Sequence, residues 1–412
     1  MAEVNTDLLI NREGGLRSLA QPLEDFTWNA SHEFFETAWT THYRTIYRTN
    51  LILDQVTTIS MPDARKAQIL AEARFLRASA YQTLYELFGP VPLITSSTIS
   101  SDDRPSRATK EEFMAFVETE FKAVADLLPA VSTQYGRATK GAALSLLTRF
   151  YLNNKKWQET AETAKKVIDL TIYQLFNTTN RTHLFDIPNE KNSEFIYIRP
   201  NLAQPGLGDN YMPHAAPPNY KFKTAPKTNY ATQLKTLSAF YNTFDPADQR
   251  RQAIITEYED MNGKIIKLGT DDVRSFKFKE DLSATGEVMG NDFPVYRYAD
   301  ILLSRAEALN EMSGPTQEAI DLINQVRTKA GVALLKMGDF ASKDALRAHL
   351  LKERGWEFFS EELRRQDLIR HGKFIEYAKA RGKAAFDYQV LFPLPQSEID
   401  RNPSLKQNDG YK

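Results

Sequence analysis

His32-Glu33-Phe34-Phe35-Glu36 has the HExxE spacing, which on a helix sets His32 and Glu36 one turn apart on the same face. Zinc hydrolases of this pattern need a second histidine where Glu36 stands, so the stretch reads as a solvated helix face. His183, His214, His349 and His371 have no companion ligands nearby in sequence. The absence of cysteine removes thiolate zinc sites, disulfides and a thiol nucleophile together. No GxSxG, phosphate loop or dinucleotide fingerprint occurs. Asp102-Asp103 and Asp271-Asp272 pair carboxylates in sequence, but glycoside hydrolysis needs two that folding holds ~5–10 Å apart. Nothing singles out two among the 53 acidic residues. No catalytic residue, metal or cofactor is therefore expected.

Binding chemistry is what remains. A sugar offers apolar C–H faces ringed by hydroxyls, so its site wants flat aromatic rings beside amides, carboxylates and guanidinium groups. Three stretches supply that mixture: Phe26-Thr27-Trp28-Asn29, Asn210-Tyr211-Met212-Pro213-His214 and Asn219-Tyr220-Lys221-Phe222. The candidate ligand residues are Trp28, Asn29, Asn210, Tyr211, Asn219 and Tyr220. Each ring lies in a breaker-rich or helix-flanking stretch, where an aromatic need not be buried.

The elements that would hold them are helices. From Ala64 onward, Ile69, Ala73, Leu76, Ala80, Leu84 and Leu87 recur in steps of four and three, which predicts a helix with one apolar face. Ser60 is its expected cap, Gln82 falls on its polar face, and Gly89-Pro90 ends it. A preceding helix capped by Ser31 carries Phe35, Trp39 and Ile46 in its stripe. Thr109 and Glu112 make a capping box for a third. Residues 139–153 with 157–170, and 298–311 with 317–329, read as tetratricopeptide-like hairpins, with Ala164, Ala306 and Ala319 as small contacts. Arg74, Arg77, Asp300, Glu307 and Arg327 are expected in inter-helical ion pairs. Trp39, Trp157 and Trp356 are expected to pack structurally.

Between these helices the texture changes. Residues 171–292 are rich in Pro, Asn, Gly and Tyr, with short strands predicted at 194–198 and 264–268 and a helix at 232–244. The predicted fold is all-α: a superhelix of hairpins bearing a loop-rich aromatic lobe. The expected division is one domain, with a scaffold at about 31–170 and 293–380, a lobe at 171–292 and a C-terminal segment at 386–412. The first 29 residues are expected to be partly ordered at best.

Residues 74–93 (RFLRASAYQTLYELFGPVPL) resemble the signature helix of the RagB/SusD family. So, in order, do 295–311 (VYRYADILLSRAEALNE), 323–332 (INQVRTKAGV) and 391–411 (LFPLPQSEIDRNPSLKQNDGY), and more loosely 241–251 (YNTFDPADQRR). The resemblance implies a non-catalytic lipoprotein on the outer face of the outer membrane. Such a protein captures a glycan and delivers it to a SusC-type TonB-dependent transporter. It also implies an export signal and a lipidated cysteine, both expected to precede Met1 in the natural protein. The alternative is a helical-repeat scaffold that binds a peptide or protein without sugar; a glycoside hydrolase is a third reading. A net charge of −1 gives no drive toward nucleic acid or anionic lipid. No apolar run nears the ~20 residues of a membrane-spanning helix, so membrane contact is expected only through the missing anchor.

Overall fold

The computed structural model describes residues 3–11, 13–98, 100, 103–224, 226–231 and 233–411. Met1, Asp102 and Thr232, which entered the sequence reading, lie outside them. The N-terminal segment is more ordered than its sequence suggests. Val4, Leu8 and Ile10 are buried, strand β1 (Leu9–Ile10) pairs antiparallel with Lys235–Thr236, and helix α1 (Arg17–Asp25) follows. A distant partner strand orders residues that have no periodic stripe of their own.

Helix α2 (Glu33–Gln55) begins at His32, one residue beyond the expected Ser31 cap. His32 Nδ1 accepts from the Phe34 N–H (3.1 Å), and Nε2 bonds the Leu19 carbonyl (2.9 Å). The HExxE histidine is thus committed to a helix start. Helix α3 (Asp63–Phe88) stops at Gly89, whose φ of 74° costs a glycine little. Pro62, without a side-chain cap, stands where Ser60 was expected.

The single-stripe reading of α3 fails because the helix is packed on more than one side. It lies between α2 and α4 (Lys110–Leu127) and also touches α5 (Lys140–Asn153). Ala71, Phe75, Ala78, Tyr81, Leu84 and Phe88 are buried, while Leu76 is 41% exposed and Gln82 only 4%. Gln82 Nε2 donates to Glu86 (3.2 Å). Leu76→Ala should therefore change the unfolding free energy by no more than ~0.5 kcal/mol, as at other surface positions. A thermal melt checks this, and a shift as large as that of Leu84→Ala would contradict it.

Thr109 and Glu112 form the expected capping box on α4. The stack continues through α5 to α6 (Trp157–Asp169). After the loop-rich segment, with its short helices α7 (Tyr211–Ala215) and α8 (Ser238–Tyr241), helix α9 (Tyr298–Ser313) packs directly on α6. Helices α10 (Gln317–Ala330) and α11 (Lys343–Phe358) pack on α9. Ala164, Ala306 and Ala319 are fully buried at these contacts, as the repeat reading requires. The fold is all-α and tetratricopeptide-like.

Helices α12 (Arg364–Arg370), α13 (Phe374–Ala380) and α14 (Gln396–Arg401) complete the chain. The C-terminal run folds back on the start of the scaffold. The Phe392 N–H donates to the Leu87 carbonyl (2.8 Å), and Asn408 Nδ2 donates to the Phe88 carbonyl (3.0 Å).

The loop-rich segment departs from prediction at 232–244. Only Ser238–Tyr241 is helical there, because Lys235–Thr236 bonds β1 and Thr236 also bridges Val273. In chain order the strands after β1 are β2 (Phe195–Arg199), β3 (Lys235–Thr236), β4 (Ile254–Ile255), β5 (Glu257–Glu259), β6 (Ile265–Lys267), β7 (Arg274–Ser275) and β8 (Phe293–Arg297). They form antiparallel pairs β1–β3, β2–β8, β4–β7 and β5–β6.

A buried ionic network joins this segment to the helices. Glu357 accepts from Arg181 (2.7 Å), Arg297 (2.9 Å) and Arg250 (3.1 Å). Glu361 accepts from Lys277 (2.5 Å) and Arg297 (2.7 Å). Arg181 also grips Glu194, and Arg250 grips Asp248 and Glu353. Burial opposes the charge on Glu353, but Arg250, His349 and Arg327 outweigh it and hold the carboxyl at about 2. Burial pulls Lys277 down to about 8 against the attraction of Glu361. The expected inter-helical pairs are present as well: Arg74 and Arg77 on Glu120, Arg149 and Arg354 on Asp300, Arg370 on Glu307 and Arg327 on Glu353.

Candidate functional site

The loop-rich segment builds two adjoining clefts. The first begins at Asp209, fixed by reciprocal backbone bonds with Met289 (2.9 and 2.7 Å). Asp209 Oδ1 accepts the Tyr211 N–H (2.7 Å), which starts α7 and buries Met212 and Ala215 beneath it. Tyr211 is left half-buried on the wall of a cavity of about 330 Å³. Phe278 meets its ring edge-on at 6.1 Å and stacks on Phe293 at 6.0 Å. The Arg199 guanidinium lies over Phe293, 5.0 Å from the ring centre. Asn210, His214, Asn291, Ser360 and Glu362 also line the cavity.

Two backbone positions on this wall are unusual. Ser360 (φ 62°) and Glu362 (φ 64°) are non-glycine residues in the left-handed region. Such strain, of order 1 kcal/mol or more each, persists where surrounding contacts impose it, and it clusters at functional sites. The contacts are visible here: Ser360 Oγ bonds Ser275 Oγ (2.8 Å) and the Tyr211 hydroxyl (3.2 Å), while the Glu362 N–H donates to Glu3 Oε1 (3.0 Å). Burial, with Glu362 close by, raises the Glu3 carboxyl to about 7. Burial also raises Asp209, lowers His214, and pushes the Tyr211 hydroxyl up to about 12.

The second cleft, about 750 Å³, shares Asn291 with the first. Tyr220, Phe276, Met212 and Ile255 give its apolar wall, and Tyr220 meets Phe276 edge-on at 5.2 Å. Its carboxylates are already engaged: Asp186 by Lys279 (2.7 Å), Glu280 by the Lys223 and Thr224 N–H groups, and Asp281 by Ser283 and Gly290.

The six expected ligand residues separate. Asn210 and Tyr211 sit on the first cleft and Tyr220 on the second. Asn219 is exposed at a turn (φ 53°), its carbonyl accepting the Met261 N–H (2.9 Å), and it lines neither cleft among the described residues. Trp28 is corrected outright. It is 5% exposed, with its ring 4.9 Å from Phe26 and 5.3 Å from Phe392, and Nε1 donates to the Tyr411 hydroxyl (2.8 Å). The returning C-terminal run covers it, so it cannot stack on a ligand. Asn29 is likewise a turn residue, its Oδ1 accepting the Ser31 N–H (2.9 Å). Sequence reading missed Phe278, Phe293, Asn291, Ser360 and Glu362. Only the aromatic character of the two phenylalanines could have flagged any of them.

Among the described residues no three His, Cys, Asp or Glu side chains gather as metal ligands, and no helix is long and apolar enough to cross a membrane. Asp102 of the first acidic pair lies outside the described residues. Asp271 of the second pair has φ 53° and bonds Ser238 through both its backbone N–H and its side chain.

Residues 272–411 match the SusD family, and residues 15–152 match a family described as starch-binding and associating with the outer membrane. A SusD-like protein of Formosa agariphila is 29% identical, over 94% of this chain and 82% of its own length. The starch-binding protein SusD of Bacteroides thetaiotaomicron is 26% identical, over 95% of this chain and 81% of its own length. Among solved structures, a laminarin-binding SusD-like protein superposes with a TM-score of 0.85 at 25% identity, covering 100% of this chain and 93% of that one.

Proposed function

This chain belongs to the RagB/SusD family, and from that premise we propose that it captures a glycan at the outer membrane and passes it to a SusC-type TonB-dependent transporter. No covalent step is involved; binding, orientation and release are the whole task. A lipid anchor upstream of this chain would hold it on the extracellular face. The starch-binding and laminarin-binding relatives support the glycan reading. So does the division of labour in the fold, with stacked helices as support and aromatic clefts on the loop-rich segment.

One observation carries the placement of the site. Tyr211, Phe278 and Phe293 converge on a single cavity with Asn210, Asn291 and Arg199 around them, so stacking surface and hydroxyl partners meet in one place. Tyr211 and Asn210 are the proposed contacts there. Tyr220 extends the site along the second cleft, while Asn219 stays outside both clefts. Tyr211→Ala should weaken glycan binding about tenfold, ~1.4 kcal/mol, for the loss of one stacking ring. Calorimetry on the folded variant tests this, and an unchanged Kd would move the site elsewhere.

The peptide-binding alternative keeps one supporting feature. A groove of about 770 Å³ on the scaffold is lined by Tyr43, Tyr47, Arg44, Arg104, Arg401 and Asn402. Peptide binding that survives Tyr211→Ala but is lost with Tyr47→Ala would favour that reading.

A further inference from the structure

The first cleft has an imbalance of charge that bears on which glycan it takes. Its carboxyl groups are Glu3, Asp209 and Glu362; its basic groups are Arg199 and His214. Arg199 lies over Phe293 and 4.0 Å from Asp209 Oδ2, so that carboxylate partly offsets its charge. His214 is held neutral by burial while its Nδ1 bonds Gln233 (3.0 Å) and its ring stacks on Tyr230 at 4.6 Å. Glu3 Oε1 and Asp209 Oδ1 are occupied by the N–H groups of Glu362 and Tyr211. The Glu362 carboxylate, on an exposed residue held in the left-handed region, is the acceptor presented to a ligand. Even with Glu3 protonated, Asp209 and Glu362 outnumber Arg199.

We infer that this cleft selects against anionic sugars and takes neutral or amine-bearing hexoses, with Glu362 accepting a ligand hydroxyl or ammonium. The inference rests on the glycan reading above and gives it a substrate class. Physically, a uronate or sulfate entering a half-enclosed cavity of negative balance meets like-charge repulsion at reduced dielectric, while an ammonium gains by the same field. A neutral hydroxyl gains a charge-assisted hydrogen bond to the carboxylate. The second cleft does not reverse this, since Asp186, Glu280 and Asp281 outnumber Lys223 and Lys279 on its walls.

The test is calorimetry at low and at physiological salt on matched hexamers: laminarihexaose, cellohexaose, a glucosamine hexamer, a galacturonate hexamer and a mannuronate hexamer. The best neutral or glucosamine ligand should bind at least tenfold more tightly than either uronate. Added salt should weaken glucosamine binding and leave neutral binding nearly unchanged. Glu362→Gln should narrow the gap to the uronates, with circular dichroism confirming the fold. A uronate that binds within threefold of the best neutral ligand overturns the inference while leaving glycan capture intact. If no member of the set binds, glycan capture fails and the inference fails with it.

Discussion

Glu357→Ala should cost about 3–5 kcal/mol of folding stability, because it removes the carboxylate that three guanidinium groups of a buried ionic network share and leaves that network with excess positive charge. Three guanidinium groups, from Arg181, Arg250 and Arg297, converge on this carboxylate, and all are buried. Burial opposes the Glu357 charge, but these cations hold its carboxyl far below the ordinary range. Losing it strands positive charge where the loop-rich segment meets the helices, so the clefts should lose their footing too. Urea unfolding measures the effect. Lys165→Ala is the control, since its pair with Asp169 is solvent-exposed and should be worth no more than ~0.5 kcal/mol. A Glu357→Ala loss as small as that of the control would show that the network is dispensable.

Trp28→Ala should cost about 3–5 kcal/mol, the usual penalty for emptying a buried aromatic site. The indole fills the space between α1, the start of α2 and the C-terminal run, touching Phe26, Phe35 and Phe392. Its removal also deprives the Tyr411 hydroxyl of a donor, although that hydroxyl still bonds the Leu391 carbonyl (2.8 Å). The melting temperature should fall sharply while glycan affinity, measured below the transition, stays put. An unchanged melting temperature with a large loss of affinity would restore Trp28 as a stacking platform.

These two residues mark how far the sequence could be read. Helix periods, the Thr109 box and the Gly89 stop are local signals, and they placed scaffold helices α2–α6, α9 and α10 to within a few residues, though not the helix expected at 232–244. The ion pairs of Arg74, Asp300 and Glu307 followed from charges sitting on helices that had to pack. Leu76 and Gln82 were misplaced because one apolar stripe presumes a single partner, and α3 has several. Trp28 was misplaced because the strand of chain that covers it comes from the far end of the sequence. The order of residues 3–11 was hidden for the same reason, their partner strand lying at Lys235–Thr236. In the site, Tyr211 was legible from its neighbours in sequence. Phe278, Phe293, Ser360 and Glu362 were not, since they meet it only in three dimensions and the left-handed backbone of the last two leaves no local trace.

Hydrogen exchange with and without bound glycan addresses the site most directly. Using the tightest ligand from the hexamer set at saturating concentration, protection should concentrate at residues 209–214, 276–281, 289–293 and 360–362. Helices α2 and α4 should exchange as they do in the free protein. Protection confined to α2 and the C-terminal run, with the cleft residues unchanged, would contradict glycan capture on the loop-rich segment.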